Sequence, residues 1–562
     1  MIRPSDTSGR PAPYYAAAGI AALIMCALIV AVHRDSFRTL VSAHGLLHAA
    51  IAQEFEGVWL PVERPENPFF AGEPLPYYWF YHFVAAKLAA AAGVHPLLAF
   101  EALGLLAVAI VWFAGVGIGR TLGWRLGPSL AIGFLAFAGT NAFGSVFLLI
   151  KLAVGRPWPI DNGEYLWGLA HPVMGMARWN DPSALYGPLV NFFLNNSSRG
   201  LALATELLVV LAVLRYLKTR RRPWLAATGI GVACCTAFSP IVGLLTGASL
   251  GGVLVVRCAL GSDPADRRPA LWAASVLLSG CALSVPTYHH LVTQATQAGL
   301  VLGLRPGLLA TVLVTCGPLL ALSVAALMQP AAERQALVLL TGVGGALLVG
   351  NALLAIPGSN ESDLSHVAAL LLAVPAAGAF QAADSTSCRR TRMAAGLLVM
   401  LFASTPAVVI WSYWRRPPVS VALDGAGLRA EAGSARADAY DWIRRNTPET
   451  GVFVMAEDLL ASVMVGNVPD FPALTDRTLF TSNEPYYVVS PYEDADRRRR
   501  IAATLLAGEL PEGLDRAYVA ALRRPIFVLL EHPARDVLTH METWAGKPLF
   551  DDDRFVVIAV PN

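Results

Sequence analysis

Long apolar runs, broken by short polar stretches, fill most of the first 413 residues. They lie at Tyr14–Val32, Leu98–Gly119, Gly127–Leu152, Gly200–Leu217, Trp224–Pro240, Ile241–Val256, Ala270–Val285, Gly307–Met328, Gln335–Ile356, Ser365–Phe380 and Met393–Trp411. A spanning helix needs roughly 17–25 apolar residues, so the pattern predicts about eleven transmembrane helices. The first run is too long for a signal-peptide core, and many like it follow, so it is expected to span as well. After Trp414 the period changes. Ala437–Arg445 reads as a helix stopped by Asn446-Thr447-Pro448, Pro491–Ala507 as a polar helix, and Val452–Met455, Ile526–Leu530 and Phe555–Val560 as strands. The expected fold is an all-α polytopic membrane bundle, residues 1–413, followed by a small α/β domain, residues 414–562.

Composition agrees with the pattern. Of 562 residues, 55% are hydrophobic and 15% charged. A soluble chain carries about 25% charged residues, so this one has too few to solvate its whole surface. The net charge of +2 gives no reason to expect a nucleic-acid partner. Cys26, Cys234, Cys235, Cys281 and Cys316 sit inside apolar runs, at spacings that suggest neither a metal site nor a disulfide framework.

Charge placement sets the expected topology. The densest basic loops are Arg215–Arg222, Arg257–Arg268 and Arg389–Arg392, and cytoplasmic loops concentrate Lys and Arg. All three share a side with Arg3, Arg10, Arg120 and Arg125 only if the apolar stretch Tyr77–Val94 does not cross. Its aromatic start and lone Lys87 suit a helix lying on the bilayer surface. The N-terminus is then cytoplasmic. Two long loops, residues 33–97 and 153–199, lie outside together with the C-terminal domain, and structureless loops of that length usually carry function. The Arg497–Arg500 run reads as a solvated helix face, with anionic lipid headgroups as an alternative partner.

Several stretches resemble one family. Asp441-Trp442-Ile443-Arg444-Arg445-Asn446-Thr447-Pro448, followed by Ala473-Leu474-Thr475-Asp476-Arg477, is similar to the external C-terminal domain of bacterial glycosyltransferases of the C-type superfamily (GT-C). Asn67-Pro68-Phe69-Phe70-Ala71-Gly72-Glu73-Pro74-Leu75-Pro76-Tyr77-Tyr78-Trp79 resembles that superfamily's G-x-P-L-x-Y stretch. The resemblance implies a bacterial inner (plasma) membrane enzyme. It would move a sugar from a polyprenyl-phosphate carrier to a glycan, lipid or protein acceptor at the external face, without a nucleotide and often with a divalent metal, magnesium or manganese.

Such a transfer needs a base for the acceptor hydroxyl and cationic groups for the leaving phosphate. The superfamily places an acid early in the first external loop, and the corresponding place here, Ser42–His44, holds no carboxylate. Asp35 lies upstream, Glu54 and Glu56 downstream. His44 and His48, a helical turn apart, would face the same way and suit a base or a metal ligand, or else simply cap polar groups at the interface. Asp35 is either a displaced acid or a surface partner of Arg34 or Arg38. The candidate catalytic residues are therefore His44, Asp35 and His48. Candidate donor-binding residues are Arg199, Asn360, Glu361, Asp363, Tyr77 and Tyr78. Arg199 suits a lipid phosphate or ordinary snorkelling, and the Asn360–Asp363 cluster, with His366 just inside the next helix, suits binding or N-capping.

Two classes of function fit this pattern: the glycosyltransferase, and a non-catalytic transporter or lipid-binding scaffold. Transporters often show internal repeats and ionisable residues in mid-helix. No clear repeat is present here, and charged residues inside the spans are few (Glu101, Lys151, Glu206), which favours an external site. The topology itself is testable. Accessibility tags at residues 67, 162 and the C-terminus should be labelled from outside intact cells, and tags at 218 and 390 should not. A C-terminus facing the cytoplasm would reverse the orientation.

Overall fold

In the computed structural model, the residues described are 11–35, 45–59, 65–146, 189–194, 197–260, 264–289, 301–304, 306–328, 334–355, 362–385, 389–414, 421–424, 427–430, 436–456, 470–482 and 492–561. The chain separates into two compact units. One comprises Met1–Asp35 with Ala102–Arg416, the other Ser36–Glu101 with Pro417–Asn562. The first long loop thus belongs to the same unit as the C-terminal domain.

The first unit is a multi-pass helical bundle. A helix stands at each of the eleven apolar runs, from Pro11–Asp35 to Arg389–Trp414. Among the described residues, seven of these helices are long and apolar enough to cross a membrane by length and composition. The helix Ser362–Ser385 is the most enclosed, with most of its residues buried, whereas the first and last spans leave much of their surface outward for lipid. One predicted span is broken. The run Gly127–Leu152 was expected to form a single helix, but the helix Leu126–Ala138 stops at Gly139. Asn141 then takes a left-handed φ of 59° and gives its backbone N–H to Thr315 O at 2.8 Å. Asparagine adopts that conformation more readily than most residues, and packed protein satisfies the freed backbone group.

The second unit is α/β. A five-stranded mixed sheet runs in spatial order Phe550–Asp551, Phe555–Val560, Ile526–Glu531, Val452–Met455, Thr478–Leu479. The Val452–Met455 strand, next to the central one, pairs in parallel with both neighbours and is buried along its length, as expected of a strand covered on both faces. The two-residue strands were missed because they are too short to show a period. The helix Ala437–Asn446 ends at Thr447, whose extended backbone (ψ 150°) is what a following proline imposes.

The first loop contributes two parts to this unit. The Tyr-rich stretch becomes the helix Phe80–Ala92, whose 13 residues are about 20 Å long, short of the roughly 30 Å hydrocarbon core. Before it, Glu66–Asn67 and Phe70–Pro74 form an antiparallel hairpin. Asn67 Oδ1 accepts the N–H of Phe69 at 3.0 Å, and Asn67 Nδ2 donates to the Tyr492 hydroxyl at 3.1 Å. Gly72 has φ +80°, a backbone that calls for glycine, and a Cβ there would press on Leu522 Cδ2 at 3.1 Å. Ala71 and Phe480 belong to the same buried cluster as Val454, Ile501 and Val528.

Arg498 locks the hairpin in place. Its helix, Ala495–Leu506, buries positions 498, 501, 502 and 505, one helical stripe, so the arginine points into the core rather than lying on a solvated face. It is 1% exposed. Its guanidinium donates to Ala71 O at 2.6 Å, Phe480 O at 3.0 Å and the Tyr518 hydroxyl at 2.6 Å, and lies 3.9 Å from the Phe70 ring centroid. Replacing it by an apolar residue leaves buried carbonyls without donors. Arg498→Met should destabilise this unit by about 3 kcal/mol. Urea unfolding of the full-length protein, followed by protease cleavage within residues 66–74, would read that loss, and an unchanged midpoint would refute it.

Candidate functional site

The bundle brings two helix starts together. The helix Ser198–Thr219 is capped by Ser197, whose hydroxyl accepts the N–H of Arg199 at 3.2 Å. Gly200 lets this helix meet the short helix Val190–Leu194, since a Cβ there would fall 2.9 Å from Phe192 O. The helix Ser362–Ser385 carries Asp363 in its first turn and His366 one turn on. Asp363 Oδ1 takes Arg199 Nε at 3.3 Å and His366 Nδ1 at 3.2 Å. The Phe192 ring stands edge-on to His366 at 4.7 Å, and Ser365 Oγ donates to Asn351 Oδ1 at 2.8 Å.

This cluster is electrically directed. Asp363 is 1% exposed and Arg199 is 26% exposed, so the carboxylate is sealed while the guanidinium reaches outward. Two helix N-termini add positive potential at the same place. Asp363 Oδ2 and His366 Nε2 are buried and have no hydrogen-bond partner among the described residues. Arg199, the two N-termini and His366 together suit an anion with oxygens to spare, such as a phosphate.

Of the residues expected from the sequence, Arg199 and Asp363 therefore meet, and His366 joins them through Asp363. Asn360, Glu361 and His44 lie outside the described residues. Asp35 is the last residue of the helix Pro11–Asp35. His48, Tyr77 and Tyr78 belong to the other unit. His48 is 5% exposed, and its Nδ1 stands 2.8 Å from His82 Nε2, with Tyr81 and Phe100 packed against both rings. Burial drives His82 down to about 3, against a weaker opposing bond to the Tyr78 backbone, so that ring is neutral at physiological pH. Tyr77 and Tyr78 are half-buried, their rings stacked at 4.0 Å and their hydroxyls bonded at 2.6 Å.

Sequence reasoning counted Glu206 only as one of the few charges inside the spans and did not connect it to Arg199. It lies seven residues beyond Arg199, on the same helical face and about 10 Å deeper, fully buried, with both oxygens unpartnered among the described residues. An i, i+7 reading from Arg199 would have put the two on one helical face. No divalent-metal site forms among the described residues, where no group of three His, Cys, Asp or Glu converges. The Arg199 guanidinium against Asp363 also puts a cation where a metal would compete, so the cluster suits an anion and not a metal.

In the second unit Glu54 is half-buried, and its carboxyl is pushed up from 4.5 to about 8, chiefly by burial, with Glu66 and Asp476 adding and Arg524 opposing. A carboxyl raised in the folded state favours folding least where the unfolded chain ionises and the folded one does not. Stability should therefore fall as pH rises from about 4.5 to about 8 and level off above. Glu54→Gln should match the parent in melting temperature near pH 4 and exceed it at pH 8.5. Equal melting temperatures at pH 8.5 would show that Glu54 ionises normally.

An apolar bundle and an α/β unit built from the first loop and the C-terminal residues make up a fold shared with solved structures of two other proteins. The structure matches that of ArnT from Cupriavidus metallidurans bound to undecaprenyl phosphate, with a TM-score of 0.50 and 12% identity over 96% of this chain and 97% of that one. It also matches the Archaeoglobus fulgidus oligosaccharyltransferase in the apo form, with a TM-score of 0.52 and 9% identity over 92% of this chain and 69% of that one. No protein-family model matches the sequence, and no curated protein matches it either.

Proposed function

We propose that this multi-pass membrane protein is a glycosyltransferase that takes its sugar from a polyprenyl-phosphate carrier, with its active site at the external face of a bacterial inner membrane. The observation that carries the reading is the Arg199–Asp363–His366 cluster at two helix N-termini, within a fold shared with a protein crystallised with undecaprenyl phosphate. The acceptor hydroxyl attacks the anomeric carbon as the bond to the phosphate oxygen breaks. Asp35 or His44 takes the acceptor proton, and Arg199 offsets the charge that develops on the phosphate. Asp363 holds Arg199 in register. The acceptor is a glycan, lipid or protein.

Loss of a general base lowers rate by about 10²–10⁴-fold. In proteoliposomes supplied with polyprenyl-phosphate sugars, His44→Ala or Asp35→Asn should lose transfer to that degree, with His44 the more severe. Arg199→Ala should also lose transfer while membrane expression stays normal. Parental rates in all three variants would move the site elsewhere, and a parent inactive with every carrier tested would favour the transporter or scaffold.

A further inference from the structure

His366 has an unused nitrogen in a place where one costs free energy. The ring is 3% exposed, Nδ1 is held by Asp363, and Nε2 has no partner among the described residues. A buried polar atom left unpaired is unfavourable by about 1–3 kcal/mol, so its retention points to a ligand. Asp363, ionised against Arg199, only accepts hydrogen bonds, which puts a proton on Nδ1 of His366. The neutral ring then presents a lone pair at Nε2, and the protonated ring presents an N–H. The charged groups that act on the ring are Asp363, from its own helix, and Arg199, from the 198–219 helix. The 190–194 segment presents Phe192, and Asn351 of the neighbouring helix Arg334–Leu353 is bonded to Ser365.

Those states distinguish two kinds of phosphate. A monoester loses its second proton at about pH 6, so near neutrality it carries either one P–OH or none. A sugar phosphodiester has no such proton. A neutral His366 with a P–OH, or a protonated His366 with the dianion, makes the same hydrogen bond around one shared proton. A diester offers only acceptor oxygens to the Nε2 lone pair.

We propose that the Arg199–Asp363–His366 cluster is a phosphate-monoester site in which His366 Nε2 and the ligand share one proton. Arg199 supplies the charge, Asp363 fixes the tautomer, and the helix N-termini complete the cradle. The inference rests on reading this cluster as the phosphate-holding site of the transferase. It assigns the cluster to the carrier as it stands after sugar departure, a lipid monophosphate. The preference for that form favours transfer by holding its product.

Binding tests this without any need for turnover. Purified full-length protein in nanodiscs would be titrated with farnesyl monophosphate and with its methyl diester from pH 5.5 to 8.5. The parent should bind the monoester at least about tenfold more tightly at pH 6, an advantage that shrinks toward pH 8.5 while diester affinity stays flat. His366→Phe should lose the preference. His366→Gln, which keeps a polar group but takes up no proton, should lose its pH dependence. Arg199→Ala should weaken both ligands. Weak competition by inorganic phosphate assigns the ligand to a lipid headgroup, and equal competition assigns it to free phosphate. A parent without monoester preference, or a His366→Gln protein that keeps the parental pH profile, overturns the proposal. Sugar transfer assayed on the same preparations separates the two readings, because the preference can fail while transfer persists, or persist where transfer fails.

Discussion

At 1% exposure Asp363 persists as a carboxylate only with cations or donors against it, and removing one partner from such a pair commonly costs about 3–5 kcal/mol. Arg199 and His366 meet that need from two directions. The pairing fixes the start of the 198–219 helix against the start of the 362–385 helix, and the second of these is the most enclosed helix of the bundle. Neighbouring elements fall into place around that junction. Gly200 brings the 190–194 segment close, Phe192 seats the His366 ring, and Ser365 engages Asn351. Lipid tails offer little drive for helix association, so packing and buried polar contacts of this kind set the arrangement.

The same rule organises the α/β unit around Arg498. There the buried charge is an arginine, and its donors go to backbone carbonyls of Ala71 and Phe480 while Tyr518 and Asp494 take the remaining side. A hairpin more than 400 residues away in sequence becomes part of the domain core as a result. Arg477 acts similarly at 5% exposure, donating to the carbonyls of Arg444, Thr447 and Asp476. Neither arginine is open to a lipid headgroup in the way a solvated face would be.

Much of this was legible in the sequence because burial leaves a period. The helix positions of the bundle, the Val452–Met455 strand and the stop at Thr447 follow from runs, alternation and a proline. Arg499 and Arg497 behave as the run suggested, pairing locally with Asp496 and Asp515. Arg498 does not, since charge composition is blind to helical phase, and only the stripe 498, 501, 502, 505 reveals it. The break at Gly139–Asn141 was hidden by hydropathy, which scores apolar content and not backbone conformation. In the candidate site, Arg199 and Asp363 were each readable from their places at helix starts. Their meeting was not, because 164 positions separate them and no local pattern carries that contact.

Identity of 9–12% to proteins of the same fold means that the shared architecture rests on burial pattern rather than on shared residues. The stretch Asn67–Trp79 shows what such a likeness reports. Asn67 turns the hairpin, Gly72 holds a left-handed backbone against Leu522, and Phe70 stacks on Tyr492 at 4.4 Å. Each of these roles is needed to seat the hairpin in the domain, and none requires a substrate. Resemblance there is explained by folding alone. The Arg199–Asp363–His366 cluster is different in kind, because Asp363 Oδ2 and His366 Nε2 satisfy no contact that the fold requires. Polar atoms kept buried and unpaired, beside a guanidinium and two helix N-termini, are better explained by a bound anion than by stability, and that asymmetry is why function is placed there.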